Sequence, residues 1–137
     1  MPRYATLRGP QNDLQKVGVF SDADMKAFLN PKWTLVGSVS APWGTGWQAL
    51  AGAGPPPGFF LDPWGFVHIR GAVKRVSGVG TTIFTLPAGY RPLYTESPTV
   101  SGDGAFAMLD IQPSGIVRLA LGTAASWLNI YVSFAIF

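Results

Sequence analysis

The chain contains no cysteine. It therefore has neither a disulfide framework nor a metal site built on thiolates. Histidine occurs once, at His68, which excludes a multi-histidine metal site within one subunit. Charged residues are scarce, at 12% of the sequence, about half the share of an ordinary soluble domain. No run of Lys or Arg marks a nucleic-acid stripe, and the net charge is only +3. No uninterrupted apolar run approaches the ~20 residues a membrane helix needs. Met1-Pro2-Arg3-Tyr4 lacks the apolar region of a signal peptide, which predicts synthesis in a cytoplasm. These absences point away from nucleic acid, membrane insertion and metal chemistry. The expectation is no catalytic residue, no cofactor and no metal.

Punctuation and aromatic residues stand in their place. With 17 Gly and 12 Pro, the chain is broken too often for a helical protein, and its 137 residues suffice for one domain with a real core. Aromatics reach 13%, so a monomer this poor in charge would expose sticky surface. Composition thus predicts an oligomer or a part of something larger.

The organising stretch is Thr82–Pro92, T-I-F-T-L-P-A-G-Y-R-P. It reads as a strand, a corner at Pro87 and Gly89, and a new strand over Tyr90–Tyr94. A strand is expected over Trp33–Val39 and another over Trp47–Leu50, with Ala51–Gly58 as a surface loop. Asp62-Pro63-Trp64-Gly65 matches a type I turn. It opens a long strand, Phe66–Arg75, with Val67, Ile69 and Val73 on one face and Phe66, His68, Arg70, Ala72 and Lys74 on the other. Gln112-Pro113-Ser114-Gly115 makes Ala105–Leu121 a hairpin. The last strand alternates Leu128, Ile130, Val132, Phe134 and Ile136 against polar neighbours and runs to the final residue.

Ahead of the strands, residues 1–20 read as an extended arm with apolar anchors at Leu14, Val17, Val19 and Phe20. Ser21-Asp22-Ala23-Asp24 is a near-capping box, and Met25, Phe28 and Leu29 form the short apolar face of one helix ended by Asn30-Pro31. The fold class is therefore all-β: an antiparallel, jelly-roll-like sandwich over 32–137, preceded by an arm and one short helix over 1–31.

Catalytic chemistry finds little support in these residues. Arg70 and Lys74 share the face of His68 and disfavour an imidazolium there. Glu96 is the one glutamate. Asp62, Asp103 and Asp110 could pair as glycosidase carboxylates, but Asp62 and Asp103 sit in turns that favour Asp for backbone reasons. Five tryptophans are more informative: Trp33, Trp43, Trp47, Trp64 and Trp127. Trp43, Trp47 and Trp64 are the candidates for contact with a ligand or partner, against core packing or a subunit contact as the alternative. Arg70 and Arg118 alternate with apolar neighbours and can pair with Asp110.

Three motifs carry a resemblance: Gly65–Val73 (G-F-V-H-I-R-G-A-V), Ile83–Pro92 (I-F-T-L-P-A-G-Y-R-P) and Asp110–Val117 (D-I-Q-P-S-G-I-V), closed by Trp127-Leu128 and an apolar strand. Together they resemble the small β-sandwich head domains of tailed-bacteriophage tail-fibre, baseplate and minor tail proteins. The resemblance spans roughly residues 59–137, and L-P-A-G-Y-R-P is its most specific part. It implies a non-enzymatic virion protein, assembled in the host cytoplasm as a homotrimer. Its implied partners are other tail or baseplate proteins and a glycan on the host surface. No collagen-like or heptad shaft precedes the match. A capsid decoration protein bound to the major capsid protein is therefore the alternative. In either case Leu14, Val17, Val19, Phe20, Met25, Phe28 and Leu29 are the expected attachment residues.

Overall fold

The computed structural model describes residues 21–78, 80–122 and 125–137. Within them one helix, α1 (Asp22–Leu29), precedes nine strands. These are β1 (Thr34–Leu35), β2 (Trp47–Ala49), β3 (Gly58–Leu61), β4 (Phe66–Arg75), β5 (Thr82–Thr85), β6 (Thr99–Gly102), β7 (Ala105–Ile111), β8 (Ile116–Leu121) and β9 (Trp127–Ala135). The fold is all-β, and every strand pair is antiparallel. The strands follow the order β1-β3-β4-β9-β6-β7-β8-β5 across one curled, sandwich-like sheet, and β2 pairs with β4.

The β4–β9 ladder is the spine, paired without a break from Phe66↔Ala135 to Lys74↔Trp127. Alternation fixes its faces as far as Arg70; at Gly71–Val73 it gives way, and Ala72, expected on the outer face, is buried. Val67, Ile69, Val73, Leu128, Ile130 and Phe134 are buried, and they meet Phe84, Leu109 and Val117 from the other half of the sheet in one core. A fully buried side chain of this kind contributes about 1.5–3 kcal/mol. A one-residue slip would turn the whole set outward, so the register is strongly specified.

One segment, 42–49, ties β5, at one end of the strand order, to β4. At its start the Gly44 N–H donates to Ile83 O at 2.7 Å, and Trp43 bridges Phe84 of β5. At its end, Trp47–Ala49 pairs with β4. The approach to β5 demands glycine: a Cβ at residue 44 would stand 1.8 Å from Thr82 O.

Two hairpins repeat one turn. Gly65 N–H donates to Asp62 O at 3.1 Å and Asp62 N–H to Phe66 O at 2.9 Å. Gly115 and Gln112 make the equivalent bonds at 2.8 and 3.0 Å. Both glycines lie at positive φ, near +90°, as a type I turn followed by a left-handed residue requires. The β6–β7 hairpin instead turns on Asp103-Gly104, both at positive φ, the signature of a primed two-residue turn.

Several elements differ from the sequence expectation. Tyr90–Tyr94 is not a strand; regular pairing resumes only at Thr99, apart from one Glu96↔Ile111 bridge. Pro87 and Pro92 remove two donors there. Tyr90 packs its ring edge-on against Phe59 at 5.0 Å, and Arg91 Nε donates back to Leu86 O at 2.9 Å. The first strand is only Thr34–Leu35, because Gly37 turns the chain at φ +97°. β9 stops at Ala135, where its partner β4 begins, and Ile136 N–H donates instead to Gly65 O at 3.0 Å. Helix α1 starts where expected, Met25 N–H donating to Ser21 O at 3.1 Å. Leu14, Val17, Val19 and Phe20 lie outside the described residues.

Candidate functional site

The face of β4 turned away from the core presents Phe66, His68, Arg70 and Lys74. Cross-strand register sets their neighbours. On the β3 side Phe60 lies opposite His68 and Gly58 opposite Arg70; on the β9 side Ser133 and Tyr131 occupy the corresponding positions. Gly58 has no side chain, and Trp33 occupies the space: a Cβ at residue 58 would meet Trp33 Cβ at 3.6 Å.

An aromatic row follows from this placement. Trp33 packs edge-on against Phe60, with centroids 4.6 Å apart, and Phe60 stacks on the His68 ring at 4.8 Å and 16°. The Arg70 guanidinium lies over Trp33, its Cζ 3.9 Å from the ring centroid, a geometry that favours a cation over the π face. Beside it Tyr131 is 84% exposed. Arg70 Nε is buried without a hydrogen-bond partner, and neither Arg70 nor Lys74 forms an ion pair with a described residue. The strands β2, β3, β4 and β9 contain no acidic residue at all. The result is an aromatic platform whose positive charge pairs with no acid among the described residues.

Asp62 anchors one end of the row. It is buried, its Oδ1 accepts from the Trp64 and Phe66 N–H groups at 2.9 and 3.0 Å, and its Oδ2 accepts from His68 Nε2 at 2.7 Å. Burial alone would push this carboxyl up. The hydrogen bonds from His68, Phe66 and Trp64, with the charge of His68, outweigh it and hold the group below the usual carboxylate range. The arrangement fixes the His68 ring under Phe60. The alternation of β4 assigns His68 to this face but gives no hint of the acid, which reaches it from across the turn.

The three aspartates do not converge as a carboxylate pair. Asp110 accepts from Arg118 Nη2 at 2.9 Å, as its sequence context allowed, and from Ser97 Oγ at 3.1 Å. Asp103 caps the start of β9, accepting from the backbone of Ser126 and Trp127. Its carboxyl is held below the ordinary range chiefly by the Ser126 N–H. Among the described residues no group of three or more His, Asp or Glu could hold a metal ion.

The tryptophan candidates separate. Trp47 is a core residue, not a contact residue: it is 4% exposed, its indole N–H donates to Gly80 O at 2.9 Å, and Arg75 stacks over it. Trp43 is half-buried, edge-on to Phe84 and seated against Gly37. Trp64 alone of the three is open, 42% exposed at its turn. It neighbours Phe66 and Phe137, whose rings meet at 5.6 Å. Met25 is exposed on α1, and Phe28 and Leu29 lie in the same helix. Trp33 is one of the five tryptophans but not one of the three contact candidates, and Tyr131 is not a candidate either; the polar face of β9, with Tyr131 between Asn129 and Ser133, is the signal that points to the second.

No helix among the described residues is long and apolar enough to cross a membrane. Comparison with protein-family models, curated proteins and solved structures finds no match.

Proposed function

We propose that this chain is a non-enzymatic structural protein of a tailed-phage virion. In this reading residues 32–137 form a jelly-roll-like head, 1–31 join it to the particle, and three copies associate at the tail tip or fibre, where the head contacts the host surface. The observation that carries the reading is the face of β4 and β9. Its aromatic and cationic groups are held from beneath by the longest ladder of the fold, which suits a surface made for contact. The resemblance of Gly65–Val73, Ile83–Pro92 and Asp110–Val117 to phage head domains supplies the virion context. A homotrimer gives the exposed Trp64, Phe66 and Phe137 something to pack against.

A capsid decoration protein is the second reading. It is favoured by further exposed apolar side chains: Val39, Leu93, Tyr94 and Phe106. One experiment separates the two. Gold-labelled antibody on intact virions should mark the tail tip or fibres. Label over the head would make it a decoration protein, and an unlabelled particle would overturn both readings.

A further inference from the structure

We infer that the β4–β9 face binds a carboxylated glycan, with Arg70 as the group that takes the carboxylate and Tyr131 as the platform for the sugar ring. The inference rests on the reading of this chain as a surface-contact protein and names the ligand class of that face.

The argument begins with Arg70. Stacking on Trp33 holds the guanidinium in one orientation, so little freedom remains to be lost when it grips an anion. Its planar fork matches a carboxylate. Its Nε is buried, so the terminal Nη groups are the ones that meet a ligand, and no acid on β2, β3, β4 or β9 competes for them. Asp62, on the turn that opens β4, already serves His68 and that turn.

Tyr131 stands directly across the ladder from Arg70 and is 84% exposed. Its ring offers an apolar face and its hydroxyl a polar edge, the combination a sugar presents in return. Asn129 and Ser133 lie on the same face of β9, both exposed, with amide and hydroxyl groups for sugar hydroxyls. Lys74 lies four residues along β4, about 13 Å from Arg70. A nucleic acid would call for a denser cationic track than two residues provide.

The test is binding of the purified full chain to alginate, a polyuronate, with neutral dextran, dextran sulfate and oligo(dT) as comparators. Alginate should bind, dextran should not, and added salt should weaken the interaction. Arg70→Gln should lower alginate affinity about tenfold, and Tyr131→Ala about fivefold. Phe106→Ser, at an exposed position on β7, should change nothing. If Arg70→Gln alters the fold, Tyr131→Ala carries the test, because its exposed ring supports little packing. No binding to alginate, or binding unchanged in Tyr131→Ala, overturns the inference. Equal binding of dextran sulfate and oligo(dT) also overturns it, since the face would then attract any polyanion. Virion labelling keeps the two failures apart: labelled particles without alginate binding remove only the ligand, and alginate binding without label removes the virion role and leaves the site.

Discussion

At the scale of single residues, Asp62 bears the greatest load for its size. Two oxygens satisfy two backbone donors of a tight turn and orient His68. Asp62→Ala leaves those part-buried donors without their partner and His68 without its acid, at a cost of about 2 kcal/mol, or a fall in Tm of roughly 5–10 °C. The pH dependence has a definite sign. The folded carboxyl sits below its unfolded value, so its contribution is complete above the ordinary carboxylate pKa of about 4. It is lost as pH falls through the depressed folded value. Urea denaturation of wild type and Asp62→Ala should therefore converge on acidification from about pH 6 towards about pH 2. A constant gap across that range would show that the carboxylate charge is not what stabilises the turn.

Residues of the candidate site were legible in proportion to how far their environment is local. The outward placement of His68, Arg70 and Lys74 follows from alternation along one strand. Trp47 shows the opposite case. A lone Trp after a Gly-rich loop fits an exposed stacking residue and a core residue equally well. What buries it is Arg75 on the paired strand and Gly80 beyond it, neither of which lies near it in sequence.

At the scale of elements, the turns are coupled through the corner that follows β5. Gly115 closes the β7–β8 hairpin, and its carbonyl accepts the Leu86 N–H at 2.8 Å. A Cβ there would stand 2.4 Å from Leu86 O and 2.5 Å from Arg91 Nε, at a φ of +93°. Gly104 has a similar φ of +77° but open space around it. Gly104→Ala should thus cost about 1 kcal/mol, the left-handed backbone penalty alone. Gly115→Ala adds a backbone clash and should cost about 3 kcal/mol. It should also speed amide exchange at Leu86, which Gly104→Ala should leave unchanged. Equal effects at the two sites would mean the corner is not braced by this turn.

This bracing also explains which elements sequence reasoning reached. β4, the β7–β8 hairpin and β9 alternate regularly, pair over long stretches and are bounded by Pro and Gly, so local pattern and global fold agree. The segment after Pro87 carries aromatic and β-compatible residues but has no ladder to join. Its conformation is set by Phe59, some thirty residues away, together with the return bond from Arg91 to Leu86, and the first of these lies beyond any local window.

At the scale of the molecule, closure of the sheet depends on the few residues from Pro42 to Ala49. Trp47→Ala removes a buried indole from the centre of this tie and should cost about 3–5 kcal/mol. Because the segment bonds both β4 and β5, the loss should appear as a lower midpoint in a single cooperative transition, read alike by fluorescence and far-UV circular dichroism. Separate transitions for the two probes would show that β2 can detach alone.

The end of the molecule that carries Trp64, Phe66 and Phe137 makes the last prediction. Phe137 is 73% exposed, and its ring leans on Phe66 and the Gly65 backbone. Gly65 permits this approach: a Cβ there would stand 3.0 Å from the Phe137 ring. Little of the core depends on that ring, so its removal should spare the fold. If the cluster joins copies, light scattering at micromolar concentration should give three times the 14.6 kDa of one chain. Phe137→Ser should then shift the mass to that of one chain while the circular dichroism spectrum stays the same. A wild-type protein that scatters as a clean monomer would refute association of the isolated chain. A trimer that survives Phe137→Ser would move the interface elsewhere, with the exposed Phe106 and Leu121 of the β7–β8 hairpin the next surface to substitute. The proposed glycan site would be unaffected in either case, since Arg70 lies about 13 Å along β4 from Phe66.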